Sequence, residues 1–405
     1  MTVLQNLTIV ELANERISFA GKLMADMGAT VILVEPPQGD ASRRYPPFVN
    51  DDPSQDSLYF LHYNTNKKSV VLDLLKPDDQ KRLAQLLQSA DVVLEACAPG
   101  ELAAMQLDYV ETSARNPGLI HISVTPYGRN HPDSHLPQTD LTLMATGGPP
   151  WSCGYDDHTL PPVRGWGNQA YHTASHFAFM SLLTALLYRN RSGQGQLIDV
   201  SMTAALNVTT EAASYGWLVA EAEVQRQTGR HAAARPTGET QMQCADGRYV
   251  NTGVPPRFPV EFGRLLNWLR ELNLEDQFPE AVFLQMGMDW EGPFDLSKIG
   301  LDDTITAIFS AGREGLKLIA QSVSAQDFFI GCQQAGLSVG AINSPEEAFE
   351  DPHFVARGYQ VDLEHPNSTT VRYPGAPYQL PASPWELKSP APALGQHTQE
   401  VFAEL

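Results

Sequence analysis

The sequence predicts an α/β protein with a large doubly wound domain, in which helices cover a parallel sheet, and a smaller α+β domain. Short apolar segments alternate with helical segments in the first half of the chain, and this alternation is typical of a parallel sheet with helices on its faces. The pattern changes near residue 220 and again near residue 340, where proline becomes frequent. We therefore divide the chain into domains over 1–220 and 221–340, followed by a segment over 341–405 that is too rich in proline to be mostly helical.

The elements of the large domain are predicted from the spacing of apolar residues. A helix over 18–27 places Phe19, Leu23 and Met27 on one face and ends at Gly28, a residue that commonly follows a helix. A second helix is predicted over 78–89. The predicted strands, which are short, apolar and rich in β-branched residues, cover residues 7–12, 30–34, 69–74, 91–94, 119–124 and 196–202.

A longer helix is predicted over 170–191. Its apolar residues fall on more than one side, so we expect this helix to be buried all round. In the small domain the sequence predicts one short strand pair near 242–253 and several helices.

Composition excludes several classes of protein. The formal net charge is -20, from 47 acidic and 27 basic residues, which opposes binding to nucleic acid or to an anionic membrane. The four cysteines form no CxxC pair, so we expect no disulfide framework, no metal site and a reducing cytoplasmic location. We expect no signal peptide, and no apolar run reaches the length of about 18 residues that a membrane span needs.

Common nucleotide and metal motifs are absent. Glu35 ends the second strand, where dinucleotide-binding folds place a ribose-binding acid, but the first turn, 14–21, contains no GxGxxG. We therefore reject NAD or FAD. His172 and His176 share one helical face, but the residue after His172 is Thr173 rather than the glutamate of HExxH, and packing is the better interpretation. Two pairs of basic residues lie beside predicted strands, and they are Arg43 with Arg44 and Lys67 with Lys68. They could hold a phosphorylated ligand or be ordinary surface charge.

Five segments resemble motifs of one protein family, in the order that the family has them. They are 28–43, similar to GAxVIKVExPxGDxxR; 64–74, similar to NxNKxSxxLDL; 189–202, similar to RxxTGxGQxVDVSM; 351–358, similar to DPHFxARG; and 390–398, similar to PAPxLGxHT. Each motif alone is weak, but five in order across nearly the whole chain are specific. The sequence therefore resembles the family III CoA-transferases, which also include α-methylacyl-CoA racemases.

The resemblance implies a fold, an assembly and a reaction. It implies a Rossmann-like large domain built from both ends of the chain, to which 341–405 returns, and two chains interlocked like linked rings. The partner would be a second copy or a homologous CoA-transferase subunit. The reaction would move coenzyme A from an acyl-CoA such as succinyl-CoA to a carboxylic acid, through an aspartate that attacks the thioester. The coenzyme A thioester would be a substrate, with no permanently bound cofactor.

The resemblance also implies which residues contact coenzyme A. They lie within or beside the matching motifs and are Arg43, Asn66, Lys67, Leu72 and Met202. The chain departs from the family at 94–100, where LEACAPG replaces VENFRPG. The asparagine, aromatic and basic residues that help to hold coenzyme A in the family are therefore missing there.

The nucleophile is missing as well. The family places its aspartate just before the long helix, and an ungapped alignment puts Tyr171 at that position, with no Asp or Glu between Arg164 and Leu197. The racemase pair of histidine and aspartate reads Thr139 and Asp140 here, so an acyl-CoA racemase-like enzyme, a further alternative, would lack its base.

Three interpretations remain open. The chain is the aspartate-less subunit of a heteromeric CoA-transferase, which we favour; or a homomeric enzyme that uses another carboxylate, with Asp140, Asp156 and Asp157 as candidates; or a non-catalytic coenzyme A-binding or structural partner subunit. An aromatic acid is one possible substrate. Four aromatic residues near the expected active site could line its pocket or simply pack: Trp151, Tyr155, Trp166 and Tyr171.

Overall fold

The computed structural model describes residues 2–253, 255–292, 294–366 and 370–403. The chain forms two compact units. The first contains residues 1–151, 163–218 and 349–405, and the second contains residues 152–162 and 219–348. The segment 152–162, which the sequence division had placed in the large domain, therefore belongs to the second unit.

The first unit is built on a six-stranded parallel sheet, as the sequence predicted. Its strands are β1 Thr8–Leu12, β2 Thr30–Glu35, β3 Lys67–Val71, β4 Val92–Glu95, β5 Ile120–Thr125 and β6 Leu197–Ser201, and they lie in the order β3-β2-β1-β4-β5-β6. This order has its switch point between β1 and β4, and ligands of such sheets bind at the carboxyl ends of the strands near that point. The predicted doubly wound sheet is confirmed.

Nine α-helices lie within the described residues up to residue 220. They are α1 Ser18–Asp26, α2 Leu58–Tyr63, α3 Pro77–Ser89, α4 Glu101–Ala104, α5 Tyr109–Arg115, α6 Asp140–Gly147, α7 Gln169–Ser192, α8 Met202–Val208 and α9 Ala212–Ala220. Successive residues of a strand point to opposite faces. Accordingly, Ile9 packs in one core with residues of α1 and α7, and Val10 packs in another with residues of α3. Both faces of the sheet are therefore covered.

Helix α7 differs from the sequence-based expectation. One side is buried and consists mainly of small residues such as Ala174 and Ala178, but the other side is open, with Met180 50% and Leu187 64% exposed. The prediction that α7 is buried all round is therefore wrong for the single chain. The apolar pattern on two sides reflects one face against the sheet and a second face with no covering element among the described residues.

Strand β3 begins earlier than predicted. Lys67 and Lys68 are its first two residues and pair with Val31 and Ile32 of β2, whereas the sequence analysis placed both lysines before the strand. A lysine can occupy this interior position because Lys67 pairs with a buried glutamate, Glu11 of β1, which compensates for the loss of hydration.

The C-terminal segment covers the free edge of β3. Its elements within the first unit are α15 Pro352–Ala356, β12 Gln360–Glu364, β13 Thr370–Pro374 and α16 Thr398–Ala403, and α14 Pro345–Glu350 precedes them in the chain. The amide of His397 donates to the carbonyl of Ser69 (2.9 Å), and the amide of Ser69 donates to the His397 ring nitrogen Nδ1 (3.2 Å). The segment thereby satisfies backbone groups that an edge strand would otherwise expose.

The second unit is a small α+β body. Strands β9 Gln241–Gln243, β10 Tyr249–Thr252 and β11 Val339–Ala341 form an antiparallel sheet, and β7 Gln225–Gln227 pairs with β8 Arg230–Ala233. The helices are α10 Pro259–Glu271, α11 Ala281–Met288, α12 Asp303–Ser322 and α13 Ala325–Ala335. Phe262 and Phe328 are fully buried in its core. None of the helices over the described residues combines the length and apolarity that crossing a bilayer requires.

Candidate functional site

A cleft of about 830 Å³ opens at the carboxyl ends of β1 to β4, the position at which doubly wound sheets bind ligands. Leu12, Leu72, Cys97 and Met105 line it. The ionisable residues that line it are Glu35, Asp73, Glu101 and Cys97, and none of the described lining residues is lysine or arginine. The cleft therefore offers apolar surface for a ring, but no cation for a phosphate group.

Arg43, which the resemblance implies as a ligand contact, is engaged within the protein. Its guanidinium forms two 2.7 Å hydrogen bonds with the Glu35 carboxylate, donates to the carbonyl of Pro392 and lies 3.8 Å from the centre of the Phe60 ring. Burial opposes the charge on Glu35, but hydrogen bonds from Arg43 and Ser69 hold the pKa of Glu35 below its ordinary value. Arg43 therefore secures the end of β2 and the C-terminal segment.

Lys67 is also an internal partner. Its Nζ donates to Glu11 Oε1 at 2.8 Å, the carbonyl of Ser18 at 3.0 Å and Asn64 Oδ1 at 3.0 Å. The side chain has no exposed surface. Burial lowers the pKa of Lys67 and raises the pKa of Glu11 to about 7, against the stabilising attraction between the two charges.

Asn66 holds the C-terminal segment. Its side-chain amide donates to Asp26 (2.7 Å) and to the carbonyl of Glu386 (2.8 Å), and its oxygen accepts from the amides of Lys388 and Ser389. Asn66 lines a second cavity, of about 440 Å³, together with Arg43 and Lys67. The structure thus gathers three of the predicted contacts, but beneath the C-terminal segment rather than at the carboxyl-end cleft.

The two remaining predicted contacts are apolar. Leu72 lines the carboxyl-end cleft directly after β3. Met202 is fully buried at the start of α8, in the same core as α7. Of the five predicted contacts, Leu72 is the one that reaches the carboxyl-end cleft.

Asp140, the candidate alternative nucleophile, is bonded through both carboxylate oxygens. Oδ1 accepts from the amide of Ala170 at 2.8 Å, and Oδ2 accepts from Arg164 at 3.0 Å. Burial raises its pKa, while the Ala170 amide and Arg164 oppose the shift. Asp140 therefore stabilises the N-terminus of α7, where free amides and the helix dipole favour an anion. The other two candidates, Asp156 and Asp157, are exposed in the second unit, and Asp156 pairs with Arg230 at 2.8 Å.

Tyr171, which the ungapped alignment predicts at the family's nucleophile position, is buried on the first turn of α7. Arg16 lies near its hydroxyl, and burial together with the nearby Glu15 raises the pKa of Tyr171. Burial raises the pKa of Glu15, while the nearby Tyr45 and Arg16 oppose the shift. A phenol with a raised pKa is uncharged at neutral pH, and it cannot form the mixed anhydride that a carboxylate forms.

Sequence analysis did not select Glu15 and Arg16 as functional residues. They follow β1 in its first turn, a segment that ligands approach in doubly wound sheets. The sequence does contain a sign of a binding site here, because two adjacent charged residues lie in this turn, which was considered only for its lack of glycines.

Aromatic residues gather beside this position, but they are not the predicted set. Tyr63 Oη lies 2.7 Å from His172 Nε2, and the His172 ring stacks on Phe19 with centroids 4.2 Å apart. Burial lowers the pKa of His172 to about 4, so its imidazole is neutral at physiological pH. Of the predicted residues in the first unit, Trp151 is 47% and Trp166 is 97% exposed, and only Tyr171 lies at the buried position.

Comparisons with known proteins agree with this fold. The chain matches CoA-transferase family III over residues 4–279 and 303–398. It is 29% identical to the Thauera aromatica protein named succinyl-CoA:(R)-benzylsuccinate CoA-transferase subunit BbsE, over 98% of this chain and 92% of that protein. It is 28% identical to the succinate–glutarate CoA-transferase of Agrobacterium fabrum, over 99% of this chain and 95% of that protein.

The solved structure of a CAIB/BAIF family protein from Brucella suis has the same fold. The TM-score is 0.79 with 24% sequence identity, and the match covers 100% of this chain and 99% of that one. The family match spans both compact units and the C-terminal segment. The chain belongs to CoA-transferase family III.

Proposed function

We propose that this chain is the aspartate-less subunit of a heteromeric family III CoA-transferase, which moves coenzyme A from an acyl-CoA such as succinyl-CoA to a carboxylic acid. A homologous subunit, interlocked with this one, supplies the nucleophilic aspartate. The observation that carries the proposal is that Tyr171, which the ungapped alignment places at the nucleophile position, is a buried phenol near Arg16.

The surroundings of Tyr171 support this division of roles. The nearby carboxylate on α6, Asp140, has one oxygen on the Ala170 amide and the other on Arg164. An attacking carboxylate needs an oxygen that is free to approach the thioester carbon. Activation of Asp140 would require at least one of these bonds to be broken, which disfavours the homomeric alternative.

The carboxyl-end cleft supports the same proposal. Phosphate groups are usually held by arginine, lysine or helix N-termini, and the described lining of this cleft has no basic side chain. The two basic candidates that the resemblance implied, Arg43 and Lys67, are paired with Glu35 and Glu11. A complete coenzyme A site is therefore better provided by the homologous subunit.

The test compares the pure chain with the assembled pair. The chain is purified alone and with the homologous subunit encoded beside it, and coenzyme A transfer from succinyl-CoA to a panel of carboxylic acids is measured. We expect transfer from the pair only, and trapping with hydroxylamine should label an aspartate of the homologous subunit. The matched pair of variants is Tyr171→Phe in this chain, expected to retain most activity, and replacement of that aspartate by alanine, expected to abolish it.

Other outcomes select the alternatives. Transfer by the pure chain would support a homomeric enzyme, and Asp140→Asn would then be measured. Binding without turnover in either form would support a non-catalytic coenzyme A-binding or structural partner. Exchange of an α-proton without transfer would support racemase-like chemistry.

The acceptor that we propose is a carboxylic acid with an aromatic group. The aromatic side chains beside α7, among them Phe19, Tyr63 and His172, support this choice, because stacked rings favour flat apolar groups. Small aliphatic acids that react faster than aromatic ones in the substrate panel would contradict it.

A further inference from the structure

We propose that Arg16 forms a carboxylate-binding site in this chain, at the place where the catalytic members of the family carry their nucleophile. The site would hold the carboxylate of an organic acid without reacting with it. The inference rests on the proposed function in one respect, since it takes position 171 to be a non-catalytic counterpart of the active site.

Arg16 has no carboxylate partner among the described residues. It forms no ion pair within the described ranges, although nineteen such pairs involve other residues. One guanidinium nitrogen donates to the carbonyl of Gln138 at 3.0 Å, and Tyr171 lies nearby. A guanidinium carries five N–H donors in a planar fork, so this one neutral acceptor leaves several donors available.

The position of Arg16 favours a ligand rather than bulk solvent. Its side chain is half-buried, and the nearby Tyr171 is buried. A half-buried cation whose hydrogen-bond partner is neutral has lost part of its hydration and gains most from a bidentate anion such as a carboxylate. Asp140 does not fill this role, because Arg164 already neutralises it.

The neighbouring residues define what could bind. Tyr45 and Tyr59 are half-buried, with ring centroids 5.4 Å apart, and Asn168 donates to the Tyr59 hydroxyl at 2.5 Å. These side chains offer a polar aromatic border. Glu15, which lies near Tyr45, places a negative charge nearby and opposes a second anion.

The backbone of Arg16 adjoins the carboxyl-end cleft. Asn14 lines that cleft, and its Oδ1 accepts from the amide of Arg16 at 3.1 Å. Both residues belong to the turn between β1 and α1. A ligand in the cleft therefore lies next to the backbone that carries Arg16.

The test measures binding, independently of turnover. Isothermal titration of the full chain uses succinate and (R)-benzylsuccinate as probes. We expect one binding site per chain. Arg16→Gln should lower the affinity by about 10- to 100-fold, as for a lost charge-assisted hydrogen bond. Glu15→Gln should raise the affinity by about 3- to 10-fold, because a negative charge that repels the anion is removed. The matched control is Arg44→Gln, since Arg44 is exposed and bonds only the Gln38 carbonyl among described residues; its affinity should not change.

Three results would overturn the proposal: no binding of either acid by the folded chain, equal binding by Arg16→Gln, or equal losses for Arg16→Gln and Arg44→Gln. Thermal unfolding of each variant confirms that it is folded before titration. The outcome is separable from the proposed function. If the assembly binds an acid through Arg16 but transfers no coenzyme A, the transferase proposal alone is refuted. If the assembly transfers coenzyme A but Arg16 binds no acid, the carboxylate-site proposal alone is refuted.

Discussion

Replacement of Lys67 by methionine separates a structural role for this lysine from a role in binding coenzyme A. Lys67 Nζ lies 2.8 Å from Glu11 Oε1 and 2.8 Å from Glu11 Oε2, and neither side chain has exposed surface. Methionine fills a similar volume but carries no charge, so the variant leaves a buried carboxylate without its cation. We expect Lys67→Met to lower the free energy of unfolding by about 3–5 kcal/mol at neutral pH.

The size of this loss of stability should depend on pH, and the protonation of Glu11 determines whether it grows or shrinks as pH rises. Burial raises the pKa of Glu11 from 4.5 to about 7 in the folded protein, and removal of Lys67 raises it further. At pH values between the pKa of Glu11 in the unfolded state and its pKa in the folded state, Glu11 keeps its proton in the folded protein and loses it on unfolding. The free energy of unfolding therefore falls as pH rises through this window, by up to about 1.4 kcal/mol per pH unit. The variant should be closest to the wild type at pH 5 and furthest from it at pH 8.

Urea unfolding at several pH values measures this effect. Since the chain has two compact units, hydrogen exchange of peptides from β1 and β3 is followed in parallel, because it reports the stability of the sheet itself. The matched control is Lys68→Met, whose lysine pairs with Glu400 at the surface and should change stability by no more than about 1 kcal/mol. The double variant Glu11→Gln with Lys67→Met should recover part of the loss.

One result would refute this reasoning. If Lys67→Met retained wild-type stability at pH 8 and lost affinity for coenzyme A, Lys67 would be a ligand contact rather than a buried partner of Glu11.

Three further outcomes test other parts of the structure. Asp140→Ala should lower stability by about 1–2 kcal/mol, because the Ala170 amide loses its acceptor; an abolished transferase activity at unchanged thermal stability would instead identify Asp140 as catalytic. Gly21→Ala should destabilise by about 1–3 kcal/mol in urea, since its Cβ would lie 1.7 Å from Glu11 Oε2; an equal midpoint would show that this carboxylate can move. A thiol reagent should modify one cysteine rapidly, the exposed Cys153, because burial raises the pKa of Cys332 to about 12; fast labelling that persists in Cys153→Ser would contradict this.

The local pattern of the chain was enough to predict the parallel sheet and its helices. Strand β1 and helix α1 were predicted within one residue of their observed starts, Thr8 and Ser18, because apolar spacing follows directly from the geometry of strands and helices. The motif order likewise led to the family, which the comparison over 4–279 and 303–398 confirms. The prediction that Tyr171 stands in place of the nucleophilic carboxylate also comes from the sequence alone, because it needs only an alignment.

The roles of the charged residues could not be read in this way. Lys67 and Arg43 are of the residue types that commonly bind phosphate groups. Instead, Lys67 pairs with Glu11, 56 residues away in the chain, and Arg43 pairs with Glu35, 8 residues away. Arg16, in contrast, was unremarked in the sequence and has no carboxylate partner among the described residues. Whether a charged side chain is neutralised or free to bind a ligand depends on which side chains contact it across the sheet. The tertiary fold, rather than spacing along the chain, determines these contacts between separate strands and turns.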